Sequence, residues 1–319
     1  MKHSVKITLI LLLIFLLAQF IGLLVVSQYI DIKISAISGK TVLNEETYDI
    51  TGIQPPEIEN ESLSFIYIAL AIVIGTVLIL LIIKYKKRYL WKIWFFLSVF
   101  ICLLISLSPF VYLLLLYLVS GLEILAYPVT FVLAALFAWM KTWRNNVYVH
   151  NFTELFIYGG LAAVIVPVLN MTSVVIIIVI ISIYDMYAVW KSKHMVKMAK
   201  FQAKEKLFAG LYIPYSIGNE VTKKISKRVG KIKKGKGVKV KTGSAILGGG
   251  DIAFPLLFSG VLFKTTGMVF AHVITSLTSM LALGLLFFYS QKKKFYPAMP
   301  FIATGLFIGY GLVRLVLLI

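Results

Sequence analysis

The chain has 319 residues, of which 60% are hydrophobic and 14% are charged, and its formal net charge is +19. Its uncharged runs approach the roughly 20 residues that a helix needs to cross a bilayer, so the composition excludes a soluble globular protein and predicts an integral membrane protein. The single cysteine, Cys102, lies inside an apolar run. An intrachain disulfide is therefore excluded, and cysteine-based metal or redox chemistry is not expected.

Nine apolar runs predict nine transmembrane helices and an all-α fold. The first run is longer than the roughly 7 to 15 residues of a signal-peptide core, so we predict a retained span. The third run is long and contains Pro109, a residue type that kinks or breaks a helix from within. The predicted spans are 7–29, 64–83, 91–118, 123–140, 152–169, 173–190, 243–263, 266–289 and 298–318.

The distribution of lysine and arginine predicts how these helices are oriented. Residues 191–242 carry sixteen Lys/Arg against two glutamates, and smaller basic clusters follow spans two, four and eight. Because basic loops remain in the cytoplasm, we predict a cytoplasmic N-terminus, an extracellular C-terminus and a location in the cell membrane. The chain then divides into a six-span bundle at 1–190, a flexible basic loop at 191–242 and a three-span part at 243–319.

The basic loop at 191–242 is compatible with two kinds of partner. It lacks the interleaved aromatic and basic residues of nucleic-acid binding modules, so nucleic acid is not expected. Cytoplasmic basic segments attract anionic lipid head groups, which we predict as its partner. Its apolar patch, Leu207–Tyr215, is predicted to lie on the membrane surface.

Two aspartates stand in otherwise uncharged runs, Asp185 in span six and Asp251 in span seven. Insertion scales assign about 2.5 to 3.5 kcal/mol to an aspartate at a helix centre, so an intramembrane acid indicates a functional site. Helical rise places Asp185 about 9 Å from Lys191 and Asp251 about 15 Å from Lys241. We therefore predict that the two carboxyl groups lie at comparable depth and can face each other.

Three glycines, Gly248, Gly249 and Gly250, directly precede Asp251. Each weakens a helix by about 1 kcal/mol relative to alanine, so their clustering calls for a reason. Close packing of helices is one interpretation. The other is that the missing side chains bring Asp251 near Asp185 and leave room for water and an extended substrate.

Two further segments adjoin the acids. Tyr184 precedes Asp185 and is typical of an aromatic belt, with its side chain about 100° around the helix from the acid. Pro297, Ala298, Met299 and Pro300 open the last span, where prolines fit a helix start. The same prolines would leave backbone groups free to line a substrate groove.

Together these sequences resemble the three signatures of the presenilin and signal peptide peptidase family of intramembrane, GxGD-type aspartyl proteases. The matching residues are Tyr184-Asp185, Gly248-Gly249-Gly250-Asp251 and Pro297-Ala298-Met299, the last in place of the family's usual Pro-Ala-Leu. The resemblance implies that Asp185 and Asp251 are catalytic, that Tyr184, Gly248 and Gly250 support the active site, and that Pro297, Ala298 and Met299 bind substrate.

The same resemblance implies further properties of the protein. The predicted orientation is similar to that of presenilin and opposite to that of signal peptide peptidase, and the compact length resembles an archaeal member. Such a member is expected to need no accessory subunit, metal or cofactor. Presenilins also cut the loop between these spans autocatalytically, which makes 191–242 a candidate for cleavage.

The implied reaction is hydrolysis of peptide bonds within transmembrane segments of other membrane proteins. The two acids would share one proton while water attacks, and the substrate helix must first be extended. An ion- or proton-coupled transporter using the same acids is the alternative, although no internal repeat supports it. A non-catalytic membrane scaffold, in which the acids only pair with polar neighbours, is disfavoured because no Lys or Arg lies in the membrane at the depth of the aspartates.

Residues 151–154 are predicted to cap span five.

Overall fold

The computed structural model describes residues 5–56, 63–85, 87–118, 123–144, 146–191, 208–216, 242–290 and 296–318. These residues are overwhelmingly helical, which confirms the predicted all-α class, and one two-stranded hairpin is added to it. The α-helices are α1 Val5–Tyr29, α2 Ile32–Ser38, α3 Glu45–Thr51, α4 Ser64–Lys84, α5 Arg88–Leu118, α6 Ala126–Trp139, α7 Val147–Ile165, α8 Met171–Trp190, α9 Gly250–Thr266, α10 Val269–Tyr289 and α11 Met299–Leu318. The strands are β1 Gly210–Ser216 and β2 Thr242–Gly248, and a π-helical turn, Met140–Arg144, follows α6.

Six helices of the described part are long and apolar enough to cross a membrane: α1, α4, α5, α8, α10 and α11. The other three predicted spans correspond to α6, α7 and α9. With 14 residues, α6 is only about 21 Å long. Polar residues occupy the first turns of α7, and α9 has 17 residues because a strand takes up the start of its apolar run. The count of nine spans and their orientation therefore remain predictions.

The long third span is a single helix, α5, with Pro109 in its interior. Proline lacks an N–H, so the carbonyl four residues earlier, that of Ile105, loses its usual helical partner. The Tyr29 hydroxyl donates a hydrogen bond of 2.6 Å to this carbonyl. Because the orphaned acceptor is satisfied from α1, the helix continues through the proline.

The main core lies where α1, α7, α8, α9, α10 and α11 pack together with the hairpin. Its most buried apolar side chains include Phe15, Leu256 and Phe258. In contrast, no residue between positions 65 and 82 of α4 is buried, and α4 packs mainly on α5 and α8. The centre of the molecule is thus closely packed, whereas α4 is attached loosely at its edge.

Lys264, near the C-terminal end of α9, is buried rather than exposed between two spans. Its ammonium group donates to the Leu169 carbonyl at 2.7 Å and to the Thr41 hydroxyl at 2.7 Å, as well as to two further carbonyls after α7. On the same side, the Tyr48 hydroxyl of α3 donates to the Ala163 carbonyl of α7 at 3.0 Å. These contacts fasten the ends of α7 and α9 to the segment between α1 and α4.

The hairpin corrects two of the sequence-based predictions. Residues 243–248 were expected to begin span seven as a helix, but β2 pairs with β1 in antiparallel register, with Leu247 opposite Leu211. Ala245 and Leu247 are buried while Ile246 is exposed, which is the alternation of a strand. Consequently the helical-rise depth assigned to Asp251 is wrong. The apolar patch also differs from the prediction, because Leu211 lies in the core; the rest of the basic loop is outside the described residues.

Candidate active site

Asp185 lies in the last two turns of α8 and contacts the beginning of α11. Its carboxyl group is buried, with 4% of the residue exposed, and Oδ2 accepts a hydrogen bond from the Met299 amide at 3.1 Å. Met299 is the first residue of α11, where backbone amides lack helical partners and the helix dipole favours negative charge. The Pro297–Met299 segment therefore supplies Asp185 with a donor that stabilises an ionised carboxylate.

Asp251 is the second residue of α9 and directly follows the hairpin. It is thus in the first turn of a helix rather than in the middle of one. Both α8 and α11 pack against α9. The Asp185 and Asp251 carboxyl groups are close enough for their charges to interact, and the Gly248 amide faces the Asp251 carboxyl group. The structure brings together the two acids that the sequence singled out.

The three glycines form the junction between β2 and α9, and they differ in what surrounds them. A Cβ added at Gly248 would lie 3.2 Å from Asp251 Oδ2, and one at Gly249 would lie 3.0 Å from the Tyr158 hydroxyl oxygen. At Gly250, which is exposed, the nearest atom would be a ring carbon of Phe254 at 3.5 Å, an ordinary contact. Close approach accounts for the first two glycines, whereas a supporting role for Gly250 stays a prediction.

Tyr184 faces away from this junction. Its side chain, 40% exposed, lines an apolar cleft of about 180 Å³ between α4 and α8, together with Thr76, Ile177 and Ile181. Neither aspartate is among the residues that line the cleft. The predicted supporting role of Tyr184 is not tested by this position and stays a prediction.

The family model described as signal-peptide peptidase, presenilin aspartyl protease matches residues 10–318 of the chain. The chain belongs to this family. Two solved structures of a presenilin family intramembrane aspartate protease share its fold. The form in space group P2 has a TM-score of 0.59 and 14% identity over 96% of each chain. The form in C222 has a TM-score of 0.58 and 15% identity over 97% of this chain and 99% of the other. No curated protein gave a significant match.

Membership confirms the predicted family, and the protein is an intramembrane aspartic endopeptidase with several membrane-spanning helices. The family model spans nearly the whole chain, including both aspartates, the glycine junction and the start of α11. The two structural neighbours are below 25% identity and therefore establish the fold alone. The roles of individual residues in this protease follow from its own geometry, as proposed below.

Sequence reasoning missed a group of polar side chains between α7 and the π-helical turn of the protease, which we call the α7 cluster: Lys141 of the turn, with His150, Glu154 and Tyr158 of α7. Lys141 Nζ lies 2.6 Å from Glu154 Oε1 and 3.1 Å from His150 Nδ1, while the Tyr158 hydroxyl donates to Glu154 Oε2. Burial lowers the pKa of Lys141, and the Glu154 carboxylate opposes that shift. The signal was present in the sequence, since Glu154 is an acid within predicted span five, as Asp185 is within span six.

Residues 151–154 do not cap α7 as predicted. The helix begins at Val147, and Asn146 caps it by accepting from the Tyr148 amide at 2.9 Å. Asn151 instead pairs with the backbone of β1: its Nδ2 donates to the Tyr212 carbonyl at 2.8 Å, and its Oδ1 accepts from the Tyr212 amide at 2.9 Å. The side-chain amide imitates a neighbouring strand, so the expected cap is in fact a contact between α7 and the hairpin.

These contacts leave only one edge of the protease's described hairpin open. On β1, Tyr212 is paired with Asn151, the Gly210 carbonyl lies 2.8 Å from His150 Nε2, and Pro214 has no N–H to offer. Tyr212 is opposite Ile246. In an antiparallel pair, two opposed residues either both direct their N–H and C=O groups toward each other or both direct them away. The N–H and C=O of Ile246 therefore point away from β1, along the open edge of β2.

Proposed function

We propose that Asp185 and Asp251 form the catalytic dyad with which the protease hydrolyses peptide bonds inside transmembrane segments of other membrane proteins. The observation that carries the proposal is the convergence of the two acids at the junction of α8, α9 and α11. Their sequence separation is 66 positions, so the fold is what joins them.

Two neighbouring carboxyl groups favour a shared proton, because like charges in a medium of low dielectric constant cannot both ionise easily. The ionised member takes a proton from water as the water attacks the scissile carbonyl. The protonated member donates its proton to the carbonyl oxygen. Cleavage is then expected to fall at low pH, where both acids are protonated, and at high pH, where both are ionised. The two apparent titrations belong to the pair.

The open edge of β2 is the proposed binding place for the substrate. A transmembrane helix satisfies its own backbone groups, so cleavage requires an extended segment whose N–H and C=O groups find new partners. Strand addition to β2 supplies them at Ser244 and Ile246. Because β2 leads through Gly248 to Asp251, a strand paired there would pass directly in front of the dyad, with Gly250 leaving room beside it.

The cleft between α4 and α8 is the proposed route by which a substrate helix reaches that edge. Its lining is almost wholly apolar and includes Tyr184, which precedes Asp185 in the chain. Helix α4 contributes no buried residue between positions 65 and 82, so its displacement would expose little surface that is not already exposed. We propose that Pro297, Ala298 and Met299 close the opposite side of the substrate groove while the Met299 amide holds Asp185.

Three further parts of the proposal concern the whole chain. The protease has nine spans with a cytoplasmic N-terminus and an extracellular C-terminus, which keeps every basic segment in the cytoplasm. Anionic lipid head groups bind the basic loop. The chain is proposed to need no obligatory accessory subunit, because its own helices and hairpin form the buried core that includes Ile252 and Met299, the neighbours of the two acids.

The deciding experiment is cleavage of a reporter transmembrane peptide by the purified single chain in detergent. The parent should cut the peptide, whereas Asp185→Asn and Asp251→Asn should each lose more than about 1,000-fold of the rate, because each removes one partner of the proton transfer. The matched control is Asp49→Asn, since Asp49 is an exposed acid on α3 and should leave the rate unchanged.

Each outcome of this assay separates the alternatives. If Asp185→Asn or Asp251→Asn folds and cleaves at the rate of the parent protein, that result would falsify the dyad hypothesis. An inactive parent whose proteoliposomes carry an ion flux that depends on both aspartates would support the transporter instead. Cleavage by the single purified chain also tests whether an accessory subunit is needed.

A further inference from the structure

The α7 cluster is expensive to bury, and the dyad as described does not use it. Lys141, Glu154 and Tyr158 are 3%, 1% and 4% exposed. A buried ion pair often contributes little net stability compared with apolar residues of the same size, so its presence calls for another explanation. Both Glu154 oxygens are occupied, one by Lys141 and one by Tyr158. The cluster therefore fixes the position of the Tyr158 hydroxyl.

That hydroxyl lies against the turn that carries Asp251. With its proton donated to Glu154, the Tyr158 oxygen faces Gly249, where an added Cβ would be only 3.0 Å away. The carbonyl of Gly249 accepts the amides of Ile252 and Ala253, so Gly249 begins the helix on which Asp251 stands. Any displacement of Gly249 would be transmitted to the carboxyl group two residues later.

Backbone conformation does not explain the glycine at this position. Gly249 has φ −62° and ψ −34°, which every residue adopts in a helix. The requirement comes from close contacts, with the Tyr158 oxygen on one side and the Ala209 carbonyl oxygen, 3.3 Å from an added Cβ, on the other. Gly249 is thus held between α7 and the residue that precedes β1.

The same stripe of α7 also holds the hairpin. His150, Glu154 and Tyr158 are spaced four residues apart and lie on one face of the helix. His150 contacts the Gly210 carbonyl at the start of β1, and the adjacent Asn151 pairs with Tyr212. One helix face therefore sets the position of β1, of the glycine turn and, through them, of β2.

We propose that Tyr158, anchored by Glu154 and Lys141, is a positioning residue that holds Gly249 so that Asp251 meets Asp185 and the scissile bond. This inference rests on the proposed dyad. Tyr158 takes no proton from the substrate and binds no part of it. Its contribution is geometric, and a displacement of about 1 Å at a catalytic group can cost up to about 100-fold in rate.

The first test is Tyr158→Phe in the purified protease with the reporter peptide. We expect kcat to fall about tenfold or more while KM stays within about twofold, because His150 and Asn151 still hold the hairpin and the displacement is greatest at the acid. Tyr48→Phe is the matched control: it also removes a buried hydroxyl bonded to α7, but far from the dyad. It should lower the thermal midpoint and leave kcat unchanged. Equal kcat for Tyr158→Phe and the parent would overturn the proposal.

Tyr158→Phe leaves one buried oxygen of the Glu154 carboxylate without its hydrogen bond, and this loss can prevent folding. A second variant therefore retains the Tyr158 hydroxyl. Gly249→Ala keeps the helical backbone but forces the Tyr158 oxygen away, so kcat should again fall at least about tenfold. Gly311→Ala on α11, where an added Cβ meets nothing within 4 Å, is its control. Folded Gly249→Ala with parental kcat would equally contradict the proposal.

The double variant shows whether the two residues act through their contact. If they do, Gly249→Ala should reduce kcat less in the Tyr158→Phe background than in the parent, since part of the clash is gone. Strictly additive losses would count against the proposed contact. An inactive parent would instead refute the proposed function, so the two failures are distinguishable.

Discussion

At the scale of single residues, the space beside Asp251 is the feature on which we expect activity to depend most directly. Gly248 ends β2 with the Asp251 carboxyl group beside it, and the missing side chain is what allows that proximity. Gly75 of α4 has no such close neighbour, because a Cβ added there would meet nothing within 4 Å. The two glycines therefore form a matched pair for substitution.

We predict that Gly248→Ala lowers kcat at least about tenfold, because the new methyl group would lie 3.2 Å from Asp251 Oδ2 and push the carboxyl group out of place. Gly75→Ala should cleave at the parental rate and unfold at the same temperature or slightly higher, since alanine favours a helix. Steady-state cleavage measures kcat of each variant, and thermal unfolding measures its stability. Parental kcat in Gly248→Ala would mean that the carboxyl group moves without cost.

Individual residues also show how far a sequence can be interpreted. Asp185 and Asp251 were identifiable because an acid in an apolar run is energetically conspicuous. Glu154 satisfies the same criterion, yet the polar neighbours Asn151 and Thr153 favoured a helix cap. The partner that shows Glu154 to be part of a buried cluster, the lysine of the π-helical turn, comes from another element. Such long-range pairing follows from the tertiary structure and has no local signature.

At the scale of elements, the hairpin is where prediction and structure differ most. A short apolar run of residues 243–248 is compatible with both helix and strand, and its continuity with α9 favoured a helix. Pairing with β1 decides the outcome, because Ala245 and Leu247 gain burial only on one face of a strand. The partner strand lies about 30 residues earlier in the chain, beyond the reach of a local pattern.

The open edge of β2 gives the prediction that belongs to this scale. Ile246→Pro removes an outward N–H that β1 does not use, so the hairpin should persist, as prolines are tolerated on strand edges. A substrate strand would lose a hydrogen bond and meet a rigid ring, and kcat/KM should fall about tenfold or more. Ile246→Thr, which retains the N–H, should stay near the parent. The reporter assay measures kcat/KM, and thermal unfolding shows whether each variant is folded. A folded proline variant that cleaves at the parental rate would exclude pairing at this edge.

At the scale of the whole molecule, orientation can be measured because the chain has only one cysteine, Cys102. In a Cys102→Ser background, a cysteine at exposed Lys33 should react with a membrane-impermeant maleimide in intact cells. A cysteine at Lys191 should react only after permeabilisation, because nine spans with an internal N-terminus place it in the cytoplasm. The reverse pattern would invert the proposed orientation, and equal labelling of both would require a different number of spans.

The loose attachment of α4 has a consequence for how the protein senses its surroundings. Hydrocarbon chains solvate apolar side chains as well as other helices do, so the hydrophobic effect does not fix a helix that buries nothing between positions 65 and 82. The tilt and position of α4 then respond to the thickness of the surrounding bilayer, at a cost of only a fraction of a kcal/mol per Å of mismatch. If a substrate helix enters between α4 and α8 as proposed, lipid chain length becomes a physical variable that sets how widely this cleft opens.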